Sequence, residues 1–379
     1  MRAIGTCLYA AGPDSPAGFS GSAVGARAAA EEIMRNCDMQ EQLTPDFGDY
    51  ELIDSGDFEK LERFGNLVTR RPEPQAIWRR SLPEEEWRRR ADASFVRDAR
   101  HDERGEWRMK PQMPTRWTVA YRHDGMQLRM RLGLTSFKHV GIFPEQAANW
   151  DFIYDSCRAL AGGTLAADPL AGAGRADGRT PASGASRSTE RGGSRAVAPA
   201  VSSAGMHDAA AAAPRVLNLF AYTGGATLAA RAGGADVTHV DSVKPVVTWA
   251  RENMELSGLD GVRWMVEDAL KFVERELRRG SRYRGIVLDP PAYGRGANGE
   301  KWILEEHIGR MLAGCARLLE PTGAFLVLNL YSMGLSSTLA RTAVHQAFGT
   351  PPREQYGELC FTDSFGKTLP LGTYYRFVR

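Results

Sequence analysis

The sequence predicts an α/β fold in which a doubly wound parallel sheet follows a smaller, β-rich (α+β) domain. From residue 215 to residue 348, short apolar runs of strand length alternate regularly with segments of helical periodicity. This alternation is typical of a parallel sheet with helices on both faces. Before it, two alternating segments flank an Asp-Gly pair, which is typical of an antiparallel hairpin.

Each predicted element follows from a local pattern. Segments 117–121 and 126–132 alternate apolar and polar residues on either side of Asp124-Gly125, so we expect them to pair as a hairpin. The elements after residue 214 are predicted, in order, as strand 215–222, helix 226–232, strand 237–241, helix 244–256, strand 262–266, a helix ending near 277, strand 285–289, helix 303–319, strand 323–330, helix 336–348 and final β segments 358–361 and 373–378.

Composition divides the chain into five segments. Residues 163–213 are rich in Gly, Ala, Ser and Arg and contain no aromatic residue, so they cannot bury enough apolar surface to offset the entropy of ordering. We expect a disordered low-complexity insertion there. The predicted segments are an N-terminal extension (1–45), a small substrate-side domain (50–141), a connecting segment (142–162), the insertion (163–213) and the sheet domain (214–379).

Composition also excludes several classes of protein. The chain has 379 residues and a net charge of +2, with no apolar run near the ~20 residues of a membrane span. Its first residues lack the apolar core of a signal peptide. Five scattered cysteines without a C-x-x-C pair argue against a disulfide scaffold or a cysteine-based zinc site. We therefore expect a cytoplasmic protein without a membrane partner, and no cluster has the spacing of a metal site.

The turn after the first strand of the predicted sheet indicates a nucleotide-containing cofactor. Ligands of open α/β sheets bind beyond the carboxyl ends of the strands, and the run 216–220, which ends at Phe220, leads into Ala221-Tyr222-Thr223-Gly224-Gly225. The two glycines allow a tight turn and a close approach of the backbone to a ligand. Asp241 ends the second strand, where it can accept hydrogen bonds from a ribose. Asp268 follows the third strand, where it can meet an adenine amino group.

The same turn favours S-adenosylmethionine over a dinucleotide. The dinucleotide fingerprint G-x-G-x-x-G needs a glycine where this chain has Tyr222 and Thr223. Without that glycine, a pyrophosphate over the helix N-terminus is poorly held. S-adenosylmethionine carries no phosphate and needs only a turn, a ribose acceptor and a slot for adenine.

A rigid Asp-Pro-Pro motif ends the fourth predicted strand. Two consecutive prolines, Pro290 and Pro291, fix φ and remove two backbone donors, so the loop is stiff and presents bare carbonyl groups. Asp289 can accept a hydrogen bond from an N–H of a planar base, and Tyr293 can stack on the ring. The alternative is a stiff loop that only terminates the strand. The candidate catalytic residues are Asp289, Pro290, Pro291 and Tyr293.

Together these motifs resemble the class I S-adenosylmethionine-dependent methyltransferases, and more narrowly the bacterial large-subunit rRNA methyltransferase group that includes the K and I enzymes. Segment 137–146 also resembles the stretch that precedes the catalytic domain in this group and folds over the cofactor. The resemblance implies a Rossmann-like methyltransferase sheet, S-adenosylmethionine as cofactor and structured RNA, above all rRNA, as partner. By the same resemblance, the cofactor site would be lined by Phe220, Tyr222, Gly224, Asp241, Asp268 and Asp289.

One departure from this group bears on the reaction. Enzymes that make 5-methylcytosine add a cysteine to C6 of the ring, and in the I-type enzymes this cysteine follows the fifth strand. The corresponding stretch here, 329–334, contains no cysteine, and we expect Cys315 and Cys360 to be buried structural residues. The sequence therefore favours methylation of a nitrogen, either an exocyclic amine or a ring nitrogen.

The arginines of segment 51–140 leave two interpretations open. The pairs Arg70-Arg71 and Arg79-Arg80 and the triplet at 88–90 lie near tryptophans, and this combination suits phosphate contacts and base stacking. Alternatively, the triplet belongs to a solvated helix face that Glu84-Glu85-Glu86 neutralises at helical spacing. Because the net charge is only +2, RNA binding would have to be local.

The leading prediction is an enzyme that methylates a base nitrogen of structured RNA. A catalytically idle RNA-binding protein with a methyltransferase fold stays open, although the intact glycine turn and Asp-Pro-Pro motif argue against it. A dinucleotide-dependent oxidoreductase also stays open, although the missing fingerprint argues against it. Fold similarity alone does not decide among these functions.

Overall fold

An eight-stranded sheet with helices on both faces forms the larger part of the structure. The computed structural model describes residues 41–98, 101–162, 212–296, 299–331 and 335–379, without the side chains of 101–103. The strands are β1 (Glu41–Leu43), β2 (Tyr50–Gly56), β3 (Glu59–Phe64), β4 (Leu67–Pro72), β5 (Ala93–Asp98), β6 (His101–Met109), β7 (Arg116–His123), β8 (Met126–Gly133), β9 (Arg215–Leu219), β10 (Asp236–Asp241), β11 (Arg263–Val266), β12 (Gly285–Leu288), β13 (Tyr293–Arg295), β14 (Lys301–Ile303), β15 (Phe325–Leu330), β16 (Arg353–Thr362) and β17 (Thr368–Val378).

The helices lie between these strands. They are α1 (Glu84–Arg90), α2 (Ala147–Ala161), α3 (Gly225–Ala232), α4 (Lys244–Leu256), α5 (Ala269–Arg278), α6 (Leu304–Leu318) and α7 (Ser337–Phe348). A 3₁₀ turn, Pro144–Gln146, precedes α2. Within the described ranges, no helix has the length and apolar composition that crossing a bilayer requires.

The large sheet is mixed, whereas the sequence predicted a parallel sheet, without a direction for the two final β segments. Its strand order is β1-β16-β17-β15-β12-β9-β10-β11, and β9, β10, β11, β12 and β15 pair in parallel. Strand β17 runs antiparallel to both β15 and β16. The reason is the connection: β16 and β17 are joined by a short turn, whereas parallel neighbours need a long crossover. Chain order reverses between β9 and β12, so a ligand-binding crevice is expected at their carboxyl ends.

The central strands are buried on both faces, as a near-continuous apolar sequence predicts. Consecutive side chains of β9 enter different cores: Val216 packs with α2 and α3, whereas Leu217 packs with α5, α6 and α7. Strand β12 alternates in the same way, with Val287 in the first core and Ile286 in the second. The doubly wound arrangement predicted from the sequence is therefore confirmed for the parallel part of the sheet.

The predicted hairpin is also confirmed. Strands β7 and β8 pair antiparallel along their whole length. The turn residues Asp124 and Gly125 both have positive φ, 37° and 90°. A two-residue turn of this kind matches the right-handed twist of the strands, which explains the preference for Asp-Gly.

A second sheet, in the order β2-β3-β4-β5-β6, packs beside the hairpin. Asp54 of β2 connects it to the large sheet, because the carboxylate accepts hydrogen bonds from Trp87 Nε1 (2.8 Å) and from Lys367 Nζ (2.7 Å) in the β16–β17 turn. The boundaries at 50–141, 142–162 and 214–379 stay predictions. Residues 1–40 and 163–211 lie outside the described residues. Within the predicted extension, 41–43 form the edge strand β1.

The arginines around α1 are paired with the carboxylates of the helix. Arg70 pairs with Glu84 at 2.6 Å, and Arg89 pairs with Glu86 at 2.7 Å. Trp87 is completely buried, so it offers no ring for base stacking. The structure therefore favours the neutralised helix face over an RNA-binding patch at this position.

Candidate active site

One carboxylate holds the turn between β9 and α3 in a strained conformation. Phe220 and Tyr222 have φ of 57° and 47°, a left-handed conformation that costs a non-glycine residue about 1–2 kcal/mol. Asp241 Oδ2 accepts a hydrogen bond from the backbone N–H of Tyr222, and Asp241 Oδ1 accepts one from Val243, both at 2.9 Å. Burial raises the pKa of Asp241, and these N–H groups oppose the rise. Asp241 therefore lies at the strand end where a ribose acceptor was predicted and also fixes the turn.

The two glycines of this turn are required for different reasons. Gly224 has φ of 92°, which other residues rarely adopt. Gly225 begins α3, and a Cβ there would lie 2.4 Å from the ring of Trp150. The Thr223 hydroxyl donates to Gly141 O, in segment 137–146, at 2.7 Å. Trp150 on α2 therefore packs directly against the turn, a contact that sequence reasoning missed.

A cleft opens at the carboxyl ends of β9 and β12. This is the crevice expected where chain order reverses. The predicted site residues in its wall are Phe220, Tyr222, Thr223, Gly224, Gly225 and Asp289. The opposite wall comes from the segment before α2 and from α2 itself, through Phe143, Gln146 and Trp150.

Asp289 presents an unused hydrogen-bond acceptor in this cleft. Among the described residues, no donor reaches its Oδ1, although the atom is shielded from solvent. Leaving a buried polar atom without a partner costs about 1–3 kcal/mol, so such atoms call for an explanation. Burial, together with the negative charge of Glu145, raises the pKa of Asp289 to about 7. The carboxyl group can therefore gain or lose a proton near neutral pH.

Glu145 is a second carboxyl group at the site, and the sequence analysis did not select it. It lies in the 3₁₀ turn with only 3% of its surface exposed, and burial raises its pKa to about 7 against the opposing charge of Lys60. The Tyr331 hydroxyl accepts a hydrogen bond from Gln146 Nε2, and burial together with the charge of Glu145 raises the pKa of Tyr331. The sequence did contain a signal for Glu145, because it stands between Phe143-Pro144 and a helix that is mostly buried. A charged residue in such a position is seldom buried without a role.

Segment 137–146 contacts the β9–α3 turn through an aromatic cluster. The ring of Phe143 lies 5.5 Å from that of Tyr222 and 5.4 Å from that of Tyr331. Asn149 Nδ2 donates to Asn329 Oδ1 at 2.8 Å, which ties α2 to the end of β15. The strand ends and this segment therefore form one continuous wall around the cleft.

Five predicted site residues do not line the cleft: Asp241, Asp268, Pro290, Pro291 and Tyr293. Asp268 accepts a hydrogen bond from Lys271 N at 2.9 Å and caps α5. Tyr293 is 53% exposed because it belongs to the β13–β14 hairpin, which carries it outward from the loop. The carbonyl of Pro291, predicted to be bare, accepts a hydrogen bond from Trp302 Nε1 at 2.7 Å. The expectation of a bare carbonyl at Pro291 is corrected, because the loop continues into a hairpin that brings Trp302 onto it. The predicted roles of Asp268 and Tyr293 stay predictions.

A buried ion network lies next to Glu145. Arg71 Nη2 and Glu62 Oε2 are 2.7 Å apart, and Lys60 Nζ lies 3.4 Å from Glu62 Oε1. The charges of Lys60 and Arg71 both lower the pKa of Glu145, against the stronger effect of burial. Burial and the same cations lower the pKa of His139 to about 3, so this imidazole is neutral.

The cleft fits S-adenosylmethionine better than a dinucleotide. The ring of Trp150 lies against the first residue of α3, where a pyrophosphate would need open access to helix N–H groups. Asp241 ends β10, as a ribose acceptor requires, and Asp289 keeps an unpaired acceptor atom. Across the part of the chain that the structure describes, no three His, Cys, Asp or Glu side chains converge in a way that could hold a metal ion.

Comparisons with known proteins agree with this geometry. A family model of S-adenosylmethionine-dependent methyltransferases matches residues 204–348. The crystal structure of a SAM-dependent methyltransferase from Agrobacterium tumefaciens is 33% identical, with a TM-score of 0.69, and the match covers 89% of this chain and 93% of that one. The chain belongs to the S-adenosylmethionine-dependent methyltransferases. The predicted family, α/β fold class and cofactor of this methyltransferase are thereby confirmed.

Other relatives match only part of the methyltransferase. The ribosomal RNA large subunit methyltransferases K/L of Shewanella frigidimarina and Allochromatium vinosum are each 36% identical over 118 and 120 residues. These matches cover 30% of this chain and 16% of the relatives, so the methyltransferase spans about a sixth of their length. A structure from Streptococcus mutans, 12% identical with a TM-score of 0.55, covers 92% of this chain and shares its fold.

Proposed function

We propose that this methyltransferase methylates a base nitrogen of RNA, and that the RNA is ribosomal. The proposal rests on the shielded, unpaired Oδ1 of Asp289 in the cleft wall. A carboxylate is an acceptor only, so the partner that suits it is an N–H group, such as an amine of a base. The large-subunit rRNA methyltransferases among the relatives support ribosomal RNA as the substrate.

When bound, S-adenosylmethionine supplies an electrophilic methyl group on a sulfonium. The residues of this chain position the nitrogen that attacks it. As the N–C bond forms and the S–C bond breaks, an amine nitrogen must lose one proton, and the Asp289 carboxylate accepts it. Pro290, which is buried, follows Asp289 and keeps the carboxylate in one place, so orientation contributes to the rate.

The other predicted site residues have supporting roles in this proposal. Asp241 and the turn that it fixes hold the ribose side of the cofactor, and Phe143 and Trp150 exclude water from the cleft. Asp268 uses Oδ1 to cap α5, and its Oδ2 would accept from the adenine amino group. Tyr293, exposed beside the cleft, would stack on a base of the incoming RNA.

The rate of methyl transfer to an amine should rise with pH through about 7. Below this pH, Asp289 is protonated and cannot accept the amine proton. Replacing Glu145 by Gln removes the negative charge that raises the pKa of Asp289, so the acidic limb of the pH profile should move to lower pH. The measurement is kcat/KM against pH for the wild type and for Glu145→Gln.

The exposed Glu305 on α6 provides the matched control for this pH profile. In Glu305→Gln, the acidic limb of the kcat/KM profile should stay at the pH of the wild type, because the Glu305 side chain is exposed to solvent. An acidic limb that does not move in Glu145→Gln would contradict the coupling of the two carboxyl groups. A profile without any limb would instead assign the reaction to a ring nitrogen that carries no proton, such as guanine N7.

Methyl transfer to RNA in solution separates this proposal from an idle RNA-binding protein. The substrate is total RNA from cells that lack the gene, because RNA from normal cells would already carry the modification. We expect the protein to transfer tritiated methyl groups to the large rRNA, and cofactor binding without transfer to any RNA would favour the idle protein. The proposal also places the methyltransferase in the cytoplasm, where the buried, unpaired Cys157, Cys315 and Cys360 would stay reduced.

A further inference from the structure

We infer that the outer face of the β7–β8 hairpin is the surface on which the RNA backbone of the substrate docks. The inference deepens the proposed function and rests on it, because it assigns a place to the RNA that the cleft would methylate. The surface is named here the arginine ribbon and consists of Arg116, Arg122, Arg129 and Arg131.

Because successive side chains of a strand point to opposite faces, these four arginines lie on the same face of the hairpin. Arg116 and Arg122 lie on β7 six positions apart, and Arg129 and Arg131 lie two positions apart on β8. Side chains on the other face, such as Val119 and Leu128, are buried in the core. The outer positions between the arginines carry Thr118, Ala120 and Gln127, and none is acidic.

The ribbon carries more positive charge than its surroundings neutralise. Glu252 of α4 pairs with Arg131 at 2.7 Å. Within the described ranges, no carboxylate forms an ion pair with Arg116, Arg122 or Arg129. Partial burial lowers the pKa of Arg131; the charge of Glu252 opposes this, and the charge of Arg116 adds to it. Like charges on one face of a sheet are destabilising, so an anionic partner would relieve a repulsion already present.

The backbone of the ribbon is held by helix α4. Ser257 Oγ accepts from Arg129 N at 2.9 Å, and Asn253 Oδ1 accepts from Arg131 N at 2.8 Å. Trp249 Nε1 donates to Arg131 O at 2.8 Å, while the guanidinium of Arg131 lies 4.3 Å from the centre of the Trp249 ring. The ribbon is therefore a fixed surface, and phosphates would not have to order a loop upon binding.

The arginine ribbon lies beside the cofactor cleft and is long enough to contact several phosphates. Met130, between Arg129 and Arg131, points inward and lines the cofactor cleft, so the ribbon is the outside of a cleft wall. With a rise of about 3.4 Å per residue, Arg116 and Arg122 are about 20 Å apart along β7. That length spans several phosphates of a nucleic acid strand. Arginine is well suited to contact phosphate oxygens in pairs of hydrogen bonds.

The test measures the salt dependence of RNA binding by the full chain. The probe is a fluorescein-labelled RNA hairpin of about 30 nucleotides, because phosphate contacts are independent of sequence. The variant replaces Arg116, Arg122 and Arg129 by Gln and leaves Arg131 in its contact with Trp249. We expect the slope of log K against log salt concentration to fall by about 3, or about 1 for each arginine removed.

A matched triple variant replaces the exposed Arg263, Arg278 and Arg317 by Gln, at the edge where the parallel strands begin. It should keep the wild-type slope, and both variants should keep the wild-type unfolding temperature and affinity for S-adenosylmethionine. A ribbon variant that keeps the wild-type slope would overturn the inference, even where the wild type methylates RNA. A wild type that neither binds the hairpin nor methylates any RNA would overturn the proposed function itself.

Discussion

Replacing Asp289 by Ala should lower kcat for methyl transfer by about 10²–10⁴-fold, the usual effect of a positioned acid or base. The variant loses the acceptor that holds the substrate N–H and the group that takes its proton. Asp289→Asn should fall between the wild type and Asp289→Ala, because the amide keeps an oxygen acceptor but cannot take a proton. The measurement is the rate of tritium transfer to RNA at saturating S-adenosylmethionine.

The controls separate catalysis from cofactor binding and from folding. Calorimetry should show that the Kd for S-adenosylmethionine changes by less than about tenfold in Asp289→Ala, since the ribose and turn contacts remain. Glu305→Ala, an exposed carboxylate on α6, should leave kcat unchanged. Methyl transfer at the wild-type rate by Asp289→Ala would show that the carboxylate neither holds the substrate nor takes its proton.

Replacing Asp241 by Ala should weaken binding of S-adenosylmethionine by about 100-fold. The carboxylate accepts the N–H groups of Tyr222 and Val243, and hydrogen bonds to charged groups contribute about 1.5–3 kcal/mol each. Without them the left-handed turn relaxes, and the ribose loses its acceptor at the same time. Calorimetric titration with S-adenosylmethionine measures the change.

Asp241→Asn is the conservative comparison, because one oxygen acceptor remains. It should bind S-adenosylmethionine more tightly than Asp241→Ala and more weakly than the wild type. Thermal unfolding followed by circular dichroism checks that each variant is folded. Wild-type affinity in a folded Asp241→Ala variant would refute the role of this carboxylate in the cofactor site.

The sequence was informative where local pattern and function coincide. Helix α4 has the predicted bounds 244–256, and the parallel strands were found because their apolar runs are buried on both faces. The glycine turn and Asp289 lie in the cleft wall because the carboxyl ends of parallel strands meet at one edge. These features depend on short stretches of chain and on one topological rule.

The features that the sequence missed depend on contacts between distant segments. Glu145 becomes a site residue only because the 3₁₀ turn brings it near Asp289, 144 positions later in the chain. A side chain at position 225 would collide with the ring of Trp150 on α2. No local sequence pattern connects Trp150 to this turn. The exposed position of Tyr293 could not be predicted, because it depends on the pairing of the loop after the prolines with 301–303 in a hairpin. Tertiary packing decided each of these cases.

The most direct test of the proposed function is mass-spectrometric mapping of methylated nucleosides in rRNA and tRNA from cells with and without the gene. We expect one base methylated on nitrogen to disappear from the large rRNA of the deletion strain. The wild-type gene should restore it, and the Asp289→Ala gene should not. Identical nucleoside profiles in the two strains, or loss of a methyl group from a carbon or a ribose oxygen instead, would contradict the account.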